Sequence, residues 1–321
     1  MIAGIDVGAR YNYVAIAGKV TSFKSEQLHQ LVDHLISSDV THAVLEPTGR
    51  YHIPLCKLLI LHGITPLLVH TTRFGRYRMA FGKSKDDESD ALLLAQLGES
   101  NSKYLFEVDE STLIAWDMND LVREHIRLKT DRTREINRLR QDIYSIDPSS
   151  AFDSLTNLVE HPLFSHRCQR IKELTSLLKD VDEKIKDMIE DHEDGKILTS
   201  IPGVGHVTAA LLISRYVNVN RYESVKHFQA MLGFSVLSRK SGTSINVQKT
   251  AKAHIPIRSA MYRTVMVNIN KQNRIAQMYA YYRKRMPAKK AIMRTSAKLI
   301  GWIYYMLKQR KAWHVFNEYK E

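Results

Sequence analysis

The sequence is poor in several things, and each shortage excludes a class of protein. It has only two cysteines, Cys56 and Cys168. They lie far apart and in no metal-ligand spacing, so neither a disulfide scaffold nor a cysteine metal site is expected and both read as structural thiols of a reducing compartment. No apolar run approaches the roughly 20 residues that span a bilayer, and Met1-Ile2-Ala3-Gly4-Ile5-Asp6 lacks the basic start and cleavage site of a signal peptide. The expected location is the cytoplasm, with no membrane partner. With 44% hydrophobic and 25% charged residues, the 321-residue chain is also too apolar for wholesale disorder and long enough for two or three domains.

Acidic residues are scarce in one region. Residues 196–321 hold 23 Lys/Arg against three Asp/Glu, whereas residues 1–105 hold 11 against 10 and residues 106–195 hold 13 against 21. The net charge of +13 is therefore concentrated in the C-terminal segment, which carries +20. Such a field opposes compaction unless a polyanion neutralises it, and the region lacks the clean basic amphipathic helix of a membrane-surface protein. Nucleic acid is the expected partner. Near the C-terminus, Tyr281-Tyr282-Arg283-Lys284-Arg285 with Lys289 and Lys290 interleaves aromatics with cations, a composition that suits stacking and charge contact and equally suits a surface helix.

Three segments follow from composition and periodicity. Residues 1–105 alternate strands and helices: strands over Ile2–Val7, Tyr13–Ala17 and Val20–Phe23, a helix over Ser25–Ser37, a strand over Thr41–Glu46, a helix over Ile53–His62, a strand over Thr65–His70 and a helix over Asp90–Leu97. A hairpin trio followed by βαβ units is the order of a ribonuclease H-like α/β domain. Residues 106–195 are almost wholly helical. Leu174, Leu177, Leu178, Val181, Ile185 and Ile189 recur at about 3.5-residue spacing, which fits either a coiled-coil arm between subunits or a spacer folded within one chain. Residues 196–321 form a mainly helical basic domain, opened by Ile201-Pro202-Gly203-Val204-Gly205 between two helical runs. Glycines in such a turn let successive amides face a phosphate at a helix start, the helix-hairpin-helix pattern, so Gly203 and Gly205 are candidate nucleic-acid contacts. A plain inter-helix turn is the alternative.

The first segment carries a constellation of acids. Asp6 closes the first strand and Glu46 the fourth, while Asp87 and Asp90 stand three apart at a helix start. All three elements can meet at one sheet edge. A few carboxylates with phosphate oxygens are what hard divalent ions take, and two such ions can clamp the attacking and leaving oxygens of a phosphodiester. Asp87 could instead cap its helix. A carboxylate ending the apolar run Ile2–Val7 is costly to bury without a counter-ion, so Asp6 is the acid least explained by structure alone. Gly4-Ile5-Asp6-Val7-Gly8 also fits the phosphate turn of actin-like ATPases, although no second glycine-rich phosphate loop follows. Ser241-Gly242 sits among Arg239, Lys240, Lys249 and Lys252, cations that can surround a phosphoryl transition state. By chemistry alone that stretch is a polar loop.

Taken together, Gly4-Ile5-Asp6-Val7, Leu45-Glu46-Pro47-Thr48-Gly49-Arg50-Tyr51, Lys85-Asp86-Asp87-Glu88-Ser89-Asp90-Ala91, Ile201-Pro202-Gly203-Val204-Gly205 and Ser241-Gly242 resemble, in order and spacing, the DEDD transposases of bridge-RNA-guided insertion sequences, to which the pilin-gene invertase is related. The resemblance spans about residues 2–300. It implies a RuvC-like domain over 1–105 whose Asp6, Glu46, Asp87 and Asp90 bind magnesium, two ions in all, then a coiled-coil arm over 106–195 and a transposase domain over 196–321. It implies further that Ser241 attacks DNA and becomes covalently linked to it, that subunits of a dimer or tetramer share active sites, and that a bridge RNA pairs with donor and target DNA. A junction-resolving nuclease using water, and a non-catalytic nucleic-acid-binding protein, are the alternatives. Two positions depart from the family pattern: Asp86 replaces the usual threonine, and Lys252-Ala253-His254 replaces the usual Lys-x-Gly, which removes glycine's permissive backbone.

Overall fold

The computed structural model describes residues 1–81, 86–100, 105–149, 155–234, 236–238, 248–250 and 254–318. They form two compact units, residues 1–113 and 114–321.

The first unit is built on a six-stranded sheet of order β3-β2-β1-β4-β5-β6. Strands β1 (Ile2–Val7), β2 (Tyr11–Ile16) and β3 (Lys19–Lys24) form an antiparallel meander. Gly18, at φ +79°, takes the left-handed conformation its tight turn needs. Strands β4 (His42–Leu45) and β5 (Thr65–Val69) then add in parallel, and β6 (Leu105–Glu107) closes the far edge antiparallel to β5. This is the mixed sheet of the ribonuclease H-like order expected from the sequence. Helix α1 (Leu28–Ser37) buries Leu31, Val32 and Leu35, and α2 (His52–Leu61) buries Leu55, Cys56 and Leu59. Each such aliphatic side chain contributes about 2 kcal/mol of burial.

Helix α3 (Thr71–Ala80) follows β5 directly, and α4 (Asp87–Glu99) lies across the sheet. The placement of α4 is decided by glycine. A Cβ on Gly4 would stand 2.1 Å from the Ala91 carbonyl oxygen and 2.2 Å from the Ala95 nitrogen, and one on Gly98 would stand 2.7 Å from Ile2 and from Val44. The helix backbone therefore rests on the strand backbone and runs antiparallel to β1. Val44, Leu93, Leu94, Leu97 and Phe74 fill the core beneath it.

The second unit is helical. Helix α5 (Glu110–Tyr144) is followed by a single turn, α6 (Leu155–Leu158), and then by α7 (Ser165–Asp191). Part of the heptad-like stripe on α7 packs within the chain, while Leu177 of the same stripe is half exposed. Cys168 and Ile171 cluster with Leu139 and Ile143 of α5, and Ile185 and Ile189 with Met118 and Val122. Ion pairs join the same helices: Arg167 reaches Glu135 at 3.0 Å and Asp142 at 2.9 Å, and His125 Nδ1 lies 2.6 Å from Asp182. Of the two readings open from the sequence, folding back within one chain accounts for the buried stripe positions.

The remaining helices are α8 (Glu193–Thr199), α9 (His206–Tyr216), α10 (Val225–Met231), α11 (Ile255–Asn268), α12 (Arg274–Arg283), α13 (Ala288–Gln309) and α14 (Trp313–Glu318). A short antiparallel pair, β7 (Val236–Ser238) with β8 (Gln248–Thr250), precedes α11. The core gathers around α13, which buries Leu299, Ile300, Trp302, Ile303 and Met306. Among the described residues, no helix is long and apolar enough to cross a membrane.

Candidate active site and nucleic-acid interface

Register brings the acids of the first unit to one edge. Ile5 pairs with Leu45 and Gly4 with Val44 across the parallel strands. Side chains alternate along a strand, so Asp6 and Glu46, each one residue further on, share the face carrying Gly4 and Val44. Helix α4 covers that face, and its antiparallel course puts its first turn at the same edge. This is the carboxyl end of parallel strands, where open α/β sheets place their ligands. Asp90, on that turn, is 1% exposed. Asp87 begins the helix and is exposed, and the N-cap is Asp86, whose carboxylate accepts from the Ser89 amide at 3.1 Å. At position 86 the departure from the family's threonine therefore preserves a capping side chain.

A cation that the sequence did not single out stands among these acids. Arg78, near the end of α3, donates from Nε to Asp90 Oδ1 at 2.5 Å, and its Nη2 lies 3.6 Å from Glu46 Oε2. Its guanidinium carbon is 5.0 Å from the centre of the Phe74 ring one turn earlier. The spacing Phe74-x-x-x-Arg78 was the available signal, an aromatic and a cation on one face of a short helix just ahead of the acids. Carboxylate oxygens are the donors magnesium takes, so the donor set at this edge fits a hard divalent cation. Among the described residues no group of three or more His, Cys, Asp or Glu is spaced to hold an ion, and Arg78 lies between two of the candidates.

The loop from Glu46 to α2 turns at Gly49, whose φ of +54° is left-handed. It ends at His52, which is buried, and burial followed by the nearby Arg50 charge lowers the imidazole pKa to about 4. His52 is thus neutral at physiological pH. Burial also pushes the Cys56 thiol up to about 12, which leaves it an inert core group, as its isolation in the sequence implied.

In the second unit, Ile201–Gly205 links α8 to α9 as the sequence indicated. Gly203 takes φ +85°, and α11 holds the turn from behind. Asn268 Nδ2 donates to the Pro202 carbonyl at 2.7 Å and Thr264 Oγ1 to the Gly203 carbonyl at 3.2 Å. Both side chains are buried, and Asn273 secures Asn268 at 2.7 Å. At the other end of the turn, Gly205 is the N-cap of α9 without a side-chain capping bond, and the space where its Cβ would stand is open. Beside it, α5, α9 and α11 line a groove of about 480 Å³ that carries Lys129, Arg134 and Arg263 and, among the described residues, no lining carboxylate, with Asp182 reaching the His125 at its wall from α7. On α12, Tyr281 is exposed and Arg285 stacks on its ring at 4.0 Å, so the aromatic-cation tail is solvent-facing.

Ser241, Arg239, Lys240 and Lys252 lie outside the described residues, and Lys249 is described only as backbone of β8, paired with Leu237. His254, where the family pattern has glycine, is the N-cap of α11. Its φ is −77° and its ring accepts from the Ile257 amide at 3.4 Å, so no glycine is required at that position.

The sequence comparisons agree with this architecture. Residues 3–148 match a transposase family of the DEDD IS110 type, and residues 195–283 match the transposase IS116/IS110/IS902 family. Pilin gene-inverting proteins of Moraxella bovis and Moraxella lacunata are each 24% identical over 295 residues, covering 87% of this chain and 83% of the relative. The insertion element IS110 43.6 kDa protein of Streptomyces coelicolor is 26% identical over 132 residues, 40% of this chain and 32% of that protein. The two family matches take in the acidic sheet edge and the glycine turn alike, and the chain belongs to the IS110 family of transposases.

Proposed function

We propose that this transposase cuts and rejoins DNA by magnesium-assisted serine transesterification, with Asp6, Glu46, Asp87 and Asp90 as metal ligands and Ser241 as nucleophile. The observation that carries the reading is the convergence of Asp6, Glu46 and Asp90 at the carboxyl edge of β1 and β4 in a chain of this family. Held by Asp6, Glu46, Asp87 and Asp90, magnesium would supply positive charge for the phosphodiester and for ionisation of the attacking hydroxyl. Ser241 Oγ forms a bond to phosphorus as the bond to the departing sugar hydroxyl breaks, and that hydroxyl takes up a proton. One phosphodiester replaces another, so a second strand's hydroxyl can reverse the step and rejoin the DNA without an external energy source. Arg239, Lys240, Lys249 and Lys252 stabilise the added charge on phosphorus.

The turn at Gly203 and Gly205 acts as a helix-hairpin-helix, its amides holding a phosphate at the start of α9, and the groove beside it continues the cationic track. Donor and target DNA and a bridge RNA are the polyanions, and the working unit is a dimer or tetramer in which one chain's acids serve another's serine. The experiment mixes Asp6→Asn and Ser241→Ala proteins, each inactive alone. Recovery of strand transfer supports shared sites. A protein–DNA adduct formed by Ser241→Ala protein removes the nucleophile assignment, and an RNA-free preparation that recombines its sites as well as the RNA-bound one removes the guide.

A further inference from the structure

The ion pairs of Arg78 have a bearing on how the acidic edge takes its metal. Arg78 joins Asp90, which is 1% exposed, to Glu46, on which the same guanidinium places a second nitrogen at 3.6 Å. A guanidinium wedged between two carboxylates holds their oxygens further apart than the shared coordination sphere of a small ion allows. That separation agrees with the lack, among the described residues, of any three acids in ion-holding geometry. Arg78 also has somewhere to go. Its side chain is 15% exposed, and Phe74 is the one buried residue of α3, so the helix end carrying Arg78 is lightly anchored.

We propose that Arg78 is a built-in counter-ion of the acidic edge, which pairs with Glu46 and Asp90 while no divalent ion is bound and is displaced when one binds. Without a divalent ion, Arg78 keeps a positive charge against the buried Asp90 carboxylate, and a bound ion takes over that role. The displaced guanidinium, still tethered at the edge, becomes a cation for the phosphate of the strand being cut. The inference rests on the reading of the acids as a metal site.

The test uses the full-length protein and Mn2+ as probe, with calorimetric titration and thermal denaturation in place of activity. Arg78→Gln, and Arg78→Ala as a second variant, are compared with wild type. Mn2+ should bind the variants roughly ten- to hundredfold more tightly, the factor that corresponds to removing one charge-assisted hydrogen bond from the competitor. In EDTA the variants should melt below wild type, and Mn2+ should raise their midpoint more than it raises that of wild type. A variant too unstable to purify without metal should be recoverable in its presence. Unchanged or weaker Mn2+ binding in both variants overturns the inference while leaving the metal site in place. If wild type shows no Mn2+ binding that Glu46→Gln and Asp90→Asn abolish, the metal-site reading falls and the inference with it.

Discussion

The Tyr216 hydroxyl donates to Asp194 Oδ2 at 2.8 Å, linking α9 to α8 inside the second unit. The other carboxylate oxygen pairs with Arg310, which caps α13 in the left-handed conformation at φ +54°. Tyr216 is fully buried, and burial with the adjacent Asp194 charge raises its pKa, so it remains a donor throughout the accessible pH range. Asp194→Ala would leave the buried Tyr216 hydroxyl without its acceptor, while the half-exposed Arg310 would turn to water. It should cost about 2 kcal/mol, against about 1 kcal/mol for Tyr216→Phe. Urea denaturation monitored by circular dichroism checks the order, and equal effects would show that Asp194 acts through Tyr216 alone.

Gly4→Ala should damage the first unit more than its size implies. The new methyl group meets helix backbone at 2.1 Å, so α4 must move off the sheet and carry Asp90 with it. A loss of about 3 kcal/mol is expected, at the upper end for overpacking, together with loss of DNA cleavage. Gly205→Ala is the contrasting case, because open space surrounds that position. It should leave the thermal midpoint nearly unchanged and weaken DNA or RNA binding if the turn holds a phosphate; unchanged affinity would count against that contact.

Stability should fall on mild acidification. His52 has a folded pKa of about 4 against 6.5 when unfolded, so between those values the unfolded chain binds the extra proton. A base with a depressed pKa therefore loses stability as pH drops through 6.5 towards 4, with no further loss from this group below. His52→Gln should flatten the profile of unfolding free energy over that window. An identical slope in the variant would assign the effect to other groups.

Neutralising the four acids should separate chemistry from folding. Asp87→Asn, at an exposed position, should abolish cleavage with the melting temperature intact. Asp90→Asn should abolish cleavage and also lower the midpoint, since Arg78 then loses its closest partner. Cleavage retained in two or more of Asp6→Asn, Glu46→Gln, Asp87→Asn and Asp90→Asn would end the metal-ligand assignment.

Binding to DNA should weaken steeply with salt. The +20 charge of residues 196–321 implies many displaced counter-ions, and log affinity should fall linearly with log salt concentration. A slope near zero, measured by anisotropy on the intact protein, would refute a phosphate-dominated interface.

Much of the first unit was legible because burial there follows local periodicity. Ile2–Val7 was read with its observed bounds, and the ends of the first and fourth strands located Asp6 and Glu46. Helix α1 begins at Leu28 and not at Ser25, because Gln27 turns back on Lys24 instead of extending the helix. Helix α4 begins at Asp87, a turn ahead of the first periodic apolar residue, since its opening turn is acidic and capped. Helix α3 and strand β6 escaped notice for physical reasons. The former is polar, carrying Arg73, Arg76 and Arg78 with a central glycine, and is held by Phe74; the latter is three residues long and exists only through pairing with β5. Arg78 is hidden with it, since only the folded α3 sets this side chain against Asp90. On α7 the spacing of Leu178, Ile185 and Ile189 is plain in the sequence, but periodicity does not say what covers a stripe: Ile185 and Ile189 pack against Met118 and Val122 of α5, whereas Leu177 is half exposed.

The meeting of Gly4 with Ala91 and Ala95 is a contact between two main chains, and main chains have no rotamers. A helix seated on side chains shifts when a core methyl is gained or lost. One seated on peptide groups keeps its height above the strand, and with it the span from Asp6 to Asp90. Substitutions elsewhere in the surrounding core should therefore leave the reach across the acidic edge little changed, whereas a change at Gly4, or at Gly98 where the helix meets Ile2 and Val44, resets it.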